Sequence, residues 1–306
     1  MNKFQANICL LTSTLCWAPE VILFKRFPAG IPAFAVISLS TGVGALILLA
    51  VLWTHLRRRP SWSSLWRIGV LAVLAMTQNT LGVVGSRQLS VSTSMFVLSL
   101  YVVGVPLVLT LSRRMPPLRN WVGVAVIMVG MALAVQLGSG GARLGPLLIL
   151  LISTIVDSFY LVGINDTSRI CDPAELTVYL LALVSLLSFG GWVISDPGSV
   201  TTLGYSADFI AVLFMYAVFV IALSYATAFS AQPFVTAQNV AVVYSLQVVF
   251  GILLAATLPS LLVQRIELTP AIVAGCLLIC GGAITSEVNL VAALRRRRRV
   301  SREVPG

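Results

Sequence analysis

Residues 145–163 read GPLLILLISTIVDSFYLVG, with one ionisable carboxyl, Asp157, near the middle. One helical crossing of a bilayer requires about 20 mostly apolar residues, and this stretch meets that length. Nine other stretches read the same way, at approximately 5–24, 30–54, 68–86, 91–111, 120–137, 174–195, 208–229, 235–258 and 270–291. Ten spans with short connections take up the chain and leave no segment for a folded extramembrane domain. The expected fold class is an all-α integral membrane protein with ten transmembrane helices.

The composition agrees. Of 306 residues, 58% are hydrophobic and 10% charged, and the mean hydropathy is +0.99. Soluble chains carry roughly 45–50% apolar and about 25% charged residues, so too few charges are present to cover a water-soluble surface. A cytosolic enzyme, a disordered chain and a fibrous repeat are all excluded. The net charge of +10 is concentrated in Arg57 to Arg59 and in Arg295 to Arg299. Both blocks flank apolar segments, where basic residues meet anionic lipid headgroups and set topology. Nucleic acid is not an expected partner, since no soluble domain presents a groove.

Orientation follows from the basic residues on alternate loops. With the N-terminus inside, Lys3, Arg57, Arg58, Arg59, Arg67, Arg113, Arg114, Arg119, Arg169, Arg295 to Arg299 and Arg302 are cytoplasmic, while Lys25, Arg26, Arg87, Arg143 and Arg265 are outside. Both termini are therefore expected in the cytoplasm, with the chain multi-pass in the cell inner membrane. Lys3 is the only charge ahead of the first span and no small-residue cleavage site follows its apolar run, so it reads as a retained helix.

The spans also point to a duplication. Leu11-Thr12-Ser13-Thr14-Leu15 in the first resembles Leu151-Ile152-Ser153-Thr154-Ile155 in the sixth. Gly123 and Gly130 in the fifth match Gly275 and Gly282 in the tenth at the same spacing. Each pair lies two helical turns apart, a stripe of small residues on which another helix packs closely. The expected organisation is a five-helix repeat at 1–138, a second and inverted one at 139–293, and a basic cytoplasmic tail at 294–306. The glycine-rich joint at 138–145 reads as a linker and lacks the lysine of a phosphate loop. Inverted repeats of this kind place a substrate site near the midplane, at the repeat interface.

These residues resemble the EamA-like ten-helix branch of the drug/metabolite transporter superfamily. The features that carry the resemblance are Trp17 and Lys25 in the first span, Pro106 in the fourth, and Trp121-Val122-Gly123 with Gly130 in the fifth, the last echoed by Gly275 and Gly282. The resemblance implies a small-molecule transporter, commonly an exporter, with a central cavity lined by both repeats and alternating access by helix rocking.

Ionisable groups inside a bilayer are costly and usually face a cavity or a partner. Asp157 shares a helical face with Ser153, Thr154 and Tyr160. Such a cluster binds a cationic or polar substrate, or holds a proton, or else fixes packing against a neighbouring helix. Glu20 follows Pro19 and shares a face with Trp17 and Ser13. The proline loosens the helix and frees carbonyls that only a cavity or a neighbour can satisfy. Glu20 is either an outer gating or coupling carboxyl, or a headgroup-depth partner of Lys25 or Arg26. Glu287, near the tail, is expected in an interfacial salt bridge.

Gln78 and Asn79 in the third span, Tyr101 in the fourth, with Pro106 as a candidate hinge, and Tyr244 and Gln247 in the ninth complete a candidate polar lining. Rings beside amides suit an amine-bearing solute. No catalytic, nucleotide, metal or cofactor signature accompanies them, and the five cysteines and one histidine, His55, form no ligand set. Asn165-Asp166-Thr167 matches a glycosylation sequon but falls on the cytoplasmic side. The expected function is a secondary transporter, an exporter of a small polar or amine-bearing metabolite or drug, with protons as the candidate coupling ion. The alternative is a membrane scaffold or accessory subunit that moves nothing.

Overall fold

The computed structural model describes residues 1–28, 30–54, 56, 61–135, 144–202, 204, 206–257 and 268–287. His55, Arg57 to Arg59, the joint at 138–143, Arg265 and the arginine tail lie outside the described residues, as does the side chain of Glu287. Among the described residues the secondary structure is helix and turn, without strand.

In chain order the helices are α1 (Lys3–Trp17), α2 (Glu20–Arg26), α3 (Ala33–Leu52), α4 (Trp62–Ser86), α5 (Val91–Leu98), α6 (Tyr101–Leu111), α7 (Leu118–Val135) and α8 (Leu144–Thr167). They continue as α9 (Pro173–Ser195), the short α10 (Pro197–Thr202), α11 (Ala207–Met215), a wide-turned π segment (Tyr216–Leu223), α12 (Ser224–Ala231), α13 (Ala237–Tyr244), α14 (Gln247–Thr257) and α15 (Pro270–Glu287). Joined across their breaks, they give eight helical units long and apolar enough to cross a membrane, from 20 to 28 residues each, and two shorter apolar helices at Asn120–Leu133 and Pro270–Thr285. The chain is a multi-pass, all-helical membrane protein.

Side-chain caps set several helix starts. Asn2 and Gln5 form a reciprocal capping box at α1. Ser61, Ser90, Ser206 and Thr236 each accept a bond from a backbone N–H in the first turn that follows, and Asp172 accepts two. These groups satisfy donors that have no partner inside the helix. They also explain why the third span begins at Trp62, earlier than its apolar run: Ser61 caps it there.

Four long contacts organise the bundle: α3 along α9, α4 along α8, α1 along α12, and α7 along α15. At the first, Ser38 Oγ donates to the Ser185 carbonyl at 3.1 Å and Ser185 Oγ donates to the Ser38 carbonyl at 2.8 Å. The exchange is reciprocal. At the last, a Cβ on Gly130 would lie 2.7 Å from the Gly275 carbonyl oxygen, and one on Gly282 would lie 2.8 Å from that of Gly123. The small-residue stripes thus meet each other backbone to backbone.

Not every helix is continuous. The first unit breaks at Ala18–Pro19, the fourth at Ser99–Leu100 and the ninth at Ser245–Leu246. Pro106 was the expected hinge of the fourth span, yet it lies inside α6, which continues through it. The actual break lies nearer the start of the span. There the Leu100 and Val102 amides bond carbonyls three residues back, at 3.1 Å each. The ninth unit makes the same substitution at Leu246 and Val248 without any proline. The proline is therefore not what interrupts the fourth unit.

Candidate functional site

The broken segments converge. A cavity between α1, α2, α4, α5, α6, α8, α12, α13 and α14 is lined by Trp17, Glu20, Gln78, Asn79, Tyr101, Asp157, Tyr160, Tyr244 and Gln247, together with Phe24, Gly82, Leu98, Leu161 and Tyr225. All nine residues singled out from the sequence stand on this one wall. About 80 Å³ lies within reach of a water molecule's centre, room for a handful of waters at roughly 10–15 Å³ each.

Pro19 shapes the first side of the site. The break it causes turns α2 away from α1, and the carbonyl of Trp17 accepts a bond from Gln247 Nε2 at 3.1 Å. The neighbour anticipated for a freed carbonyl is therefore a glutamine 230 positions away. The same amide nitrogen reaches Glu20 Oε2 at 3.4 Å, and the Tyr216 hydroxyl donates to Glu20 Oε1 at 3.2 Å. Glu20 is thus held by two side chains from the second half of the chain. The Lys25 ammonium instead donates to the Leu89 carbonyl.

Asp157 contrasts with Glu20. Among the described residues it forms no hydrogen bond or ion pair. Its helical neighbours do: Ser153 Oγ donates to the Gln78 carbonyl at 2.7 Å, and Thr154 Oγ1 to the Val97 carbonyl at 2.8 Å. These two hydroxyls tie α8 to α4 and α5, which commits their donor hydrogens. Asn79 is partly committed as well, since its Nδ2 donates to Ala75 at 2.8 Å.

Rings form the rest of the lining. Trp17 meets Tyr244 edge-on at 4.8 Å and Tyr225 edge-on at 5.6 Å. The hydroxyls of Tyr101, Tyr160 and Tyr244 are buried and make no well-formed hydrogen bond. Beside the cavity, Phe24 and Phe27 pack against Tyr216, and Phe27 against Phe209, with ring centroids 5.4–6.0 Å apart. Phe24 brings this aromatic cluster onto the cavity wall, where α2 meets the π segment.

Sequence reading missed Tyr225 and Tyr216. Tyr216 opens the π segment and Tyr225 lies two residues beyond its end; such segments recur at functional sites. Ser224-Tyr225-Ala226-Thr227 interrupts its span with polar groups much as Thr77 to Thr80 interrupts the third, and that signal could have found Tyr225. A second signal is the recurrence of Ser-Leu-x-Val-Val at residues 99–103 and 245–249. It marks both breaks and puts Tyr101 and Gln247 at equivalent places.

Away from the cavity, Arg114 pairs with Asp166 at 2.7 Å. Asn165 is buried and its amide donates to the carbonyls of Gln232 and Val235 at 3.1 and 3.3 Å. The sequon asparagine is therefore committed to packing. Among the described residues, no three His, Cys, Asp or Glu side chains cluster as metal ligands.

The profile of the EamA-like transporter family matches residues 5–136. No curated protein matches the chain. Solved structures do: one, a crystal structure of a protein, superposes with a TM-score of 0.73 at 15% identity, covering 94% of this chain and 98% of its own. That likeness concerns the fold.

Proposed function

From the premise that this chain is a member of the drug/metabolite transporter superfamily, through the EamA-like unit at residues 5–136, we propose that it is a secondary transporter. It exports a small polar or amine-bearing metabolite or drug across the cytoplasmic membrane by alternating access, in exchange for protons. Both termini are cytoplasmic, and the basic blocks rest against anionic headgroups. The observation that carries the reading is the cavity itself. Two carboxyls, three amides and five Trp or Tyr rings share one wall at membrane depth. Three of the helical units around it are broken and a fourth is π-wound. Irregular backbone at that depth is tolerated only where it is buried in protein or lines a cavity.

In this proposal ten helices form two inverted five-helix units, 1–138 and 139–293. Several contacts support it. Ser38 and Ser185 exchange identical bonds. Gly130 faces Gly275 as Gly282 faces Gly123. The breaks at Ser99–Leu100 and Ser245–Leu246 share one bonding pattern. Pairing of α4 with α8 and of α1 with α12 are also mirror relations between the third and sixth spans and the eighth and first. Two such units can exchange conformations, and the breaks in α5–α6 and α13–α14 are natural hinges for that exchange. Asp157 is the binding or coupling group. Glu20 ties the cavity to the adjoining aromatic cluster through Tyr216, and a proton on Glu20 weakens that charge-assisted bond.

Reconstitution in proteoliposomes tests the proposal. Flux of the cognate solute should fall at least ~10-fold in Asp157→Asn, the effect of about 1.4 kcal/mol or more at the transition state. Undiminished flux removes Asp157 from the mechanism. Cysteine placed at Tyr101, Tyr160 or Tyr244 should react with a water-soluble thiol reagent. A scaffold with a dry centre predicts no reaction.

A further inference from the structure

Resting on the transporter reading above, we propose that the cavity selects an organic cation that carries no anionic group of its own. Its ammonium or guanidinium pairs with Asp157, and its carbon skeleton lies among the rings of Trp17, Tyr101, Tyr160 and Tyr244.

Charge is the first argument. The wall holds two carboxyls, and among the described residues no lysine, arginine or histidine lines it. Glu20 and Asp157 line the same cavity. An ionic group in such a place needs a partner of opposite sign. A zwitterionic or anionic solute would bring a further negative charge into a field that already repels it.

The two carboxyls are also unequal. Glu20 accepts bonds from Tyr216 and Gln247, whereas Asp157 is bonded by no described residue. The held carboxyl is pre-oriented, and the unheld one keeps its acceptor capacity for a solute.

The tyrosines supply the third argument. Tyr101, Tyr160 and Tyr244 are 5%, 4% and 2% exposed, and their hydroxyls lack a well-formed partner. Buried polar groups are ordinarily satisfied, and an exception calls for a ligand or water. An ammonium brings three N–H donors and a guanidinium five, which match hydroxyl oxygens around one carboxylate. Ring faces around a desolvated cation add cation–π attraction. The small free space selects a compact skeleton.

Matched pairs that differ only by a carboxylate decide the matter. Purified wild-type protein is heated with agmatine against arginine, cadaverine against lysine, and tyramine against tyrosine. At least one amine should stabilise the protein at a concentration at least ~10-fold below its amino acid, since preferential binding to the folded form raises its melting temperature. That stabilisation should vanish in Asp157→Asn and persist, weakened, in Glu20→Gln. Amino acids that stabilise as well as their amines overturn the proposal, and so does a panel in which no amine acts. Labelling of Tyr101→Cys separates this failure from that of the transporter reading. If the cysteine reacts with a water-soluble reagent but no amine protects it, the cation assignment alone falls. If it does not react, the wet cavity falls with it.

Discussion

The centre of the molecule and the α7–α15 contact meet the bilayer in opposite ways. At α7–α15 two uninterrupted helices press glycine against backbone. At the centre, helices break at Pro19, Ser99 and Ser245, one segment winds wide, and side chains such as Gln247 take over bonds the backbone has given up. The first arrangement gains stability from close van der Waals packing. The second accepts irregular backbone and ionisable groups, a combination tolerated only where it is buried in protein or lines a cavity. On the transporter reading, stability and transport are thus assigned to different regions.

This division can be broken by mutation. Gly282→Val drives a side chain into the Gly123 carbonyl, and overpacking of this kind costs about 1–3 kcal/mol. The melting temperature in detergent should drop, while flux per folded molecule is unchanged; a specific loss of flux would mean that the seam moves during transport. Gln247→Leu acts on the other region. It strips the donor from the Trp17 carbonyl and one bond from Glu20, and should lower flux several-fold with a stability loss of about 1 kcal/mol. Equal losses in stability and flux would argue that Gln247 only packs. The smallest effect belongs to the reciprocal serines. Ser38→Ala and Ser185→Ala should each cost about 0.6 kcal/mol, the mean for interhelical bonds in membranes. The double variant should show the sum in equilibrium unfolding, because each serine supplies its own donor.

Much of this was legible in the chain. Asp157 inside GPLLILLISTIVDSFYLVG had to face something polar, and Glu20 beside Pro19 had to find a partner for loosened backbone. Both stand on the cavity wall. The break at Ser99–Leu100 went unseen beside Pro106, because a proline is a visible helix breaker, whereas Ser99–Leu100 breaks through a change of hydrogen-bond register that leaves little compositional trace. Tyr216 escaped notice because it sits at the junction of a regular and a π-wound segment, and its aim depends on the wider turn. Ser153 and Thr154 were grouped with Asp157 by helical spacing, but they bond neighbouring helices.

Apolar length and the placement of arginines determined by themselves that this chain lives in a membrane, since a segment either clears the hydrocarbon thickness or does not. Helical spacing likewise determined which carboxyls share faces with rings. Tertiary structure alone decided that Glu20 is held and Asp157 is not, and which hydroxyls are committed and which are left over. Those outcomes turn on distances of a few ångströms between helices far apart in the chain, and no local pattern encodes which donor arrives first.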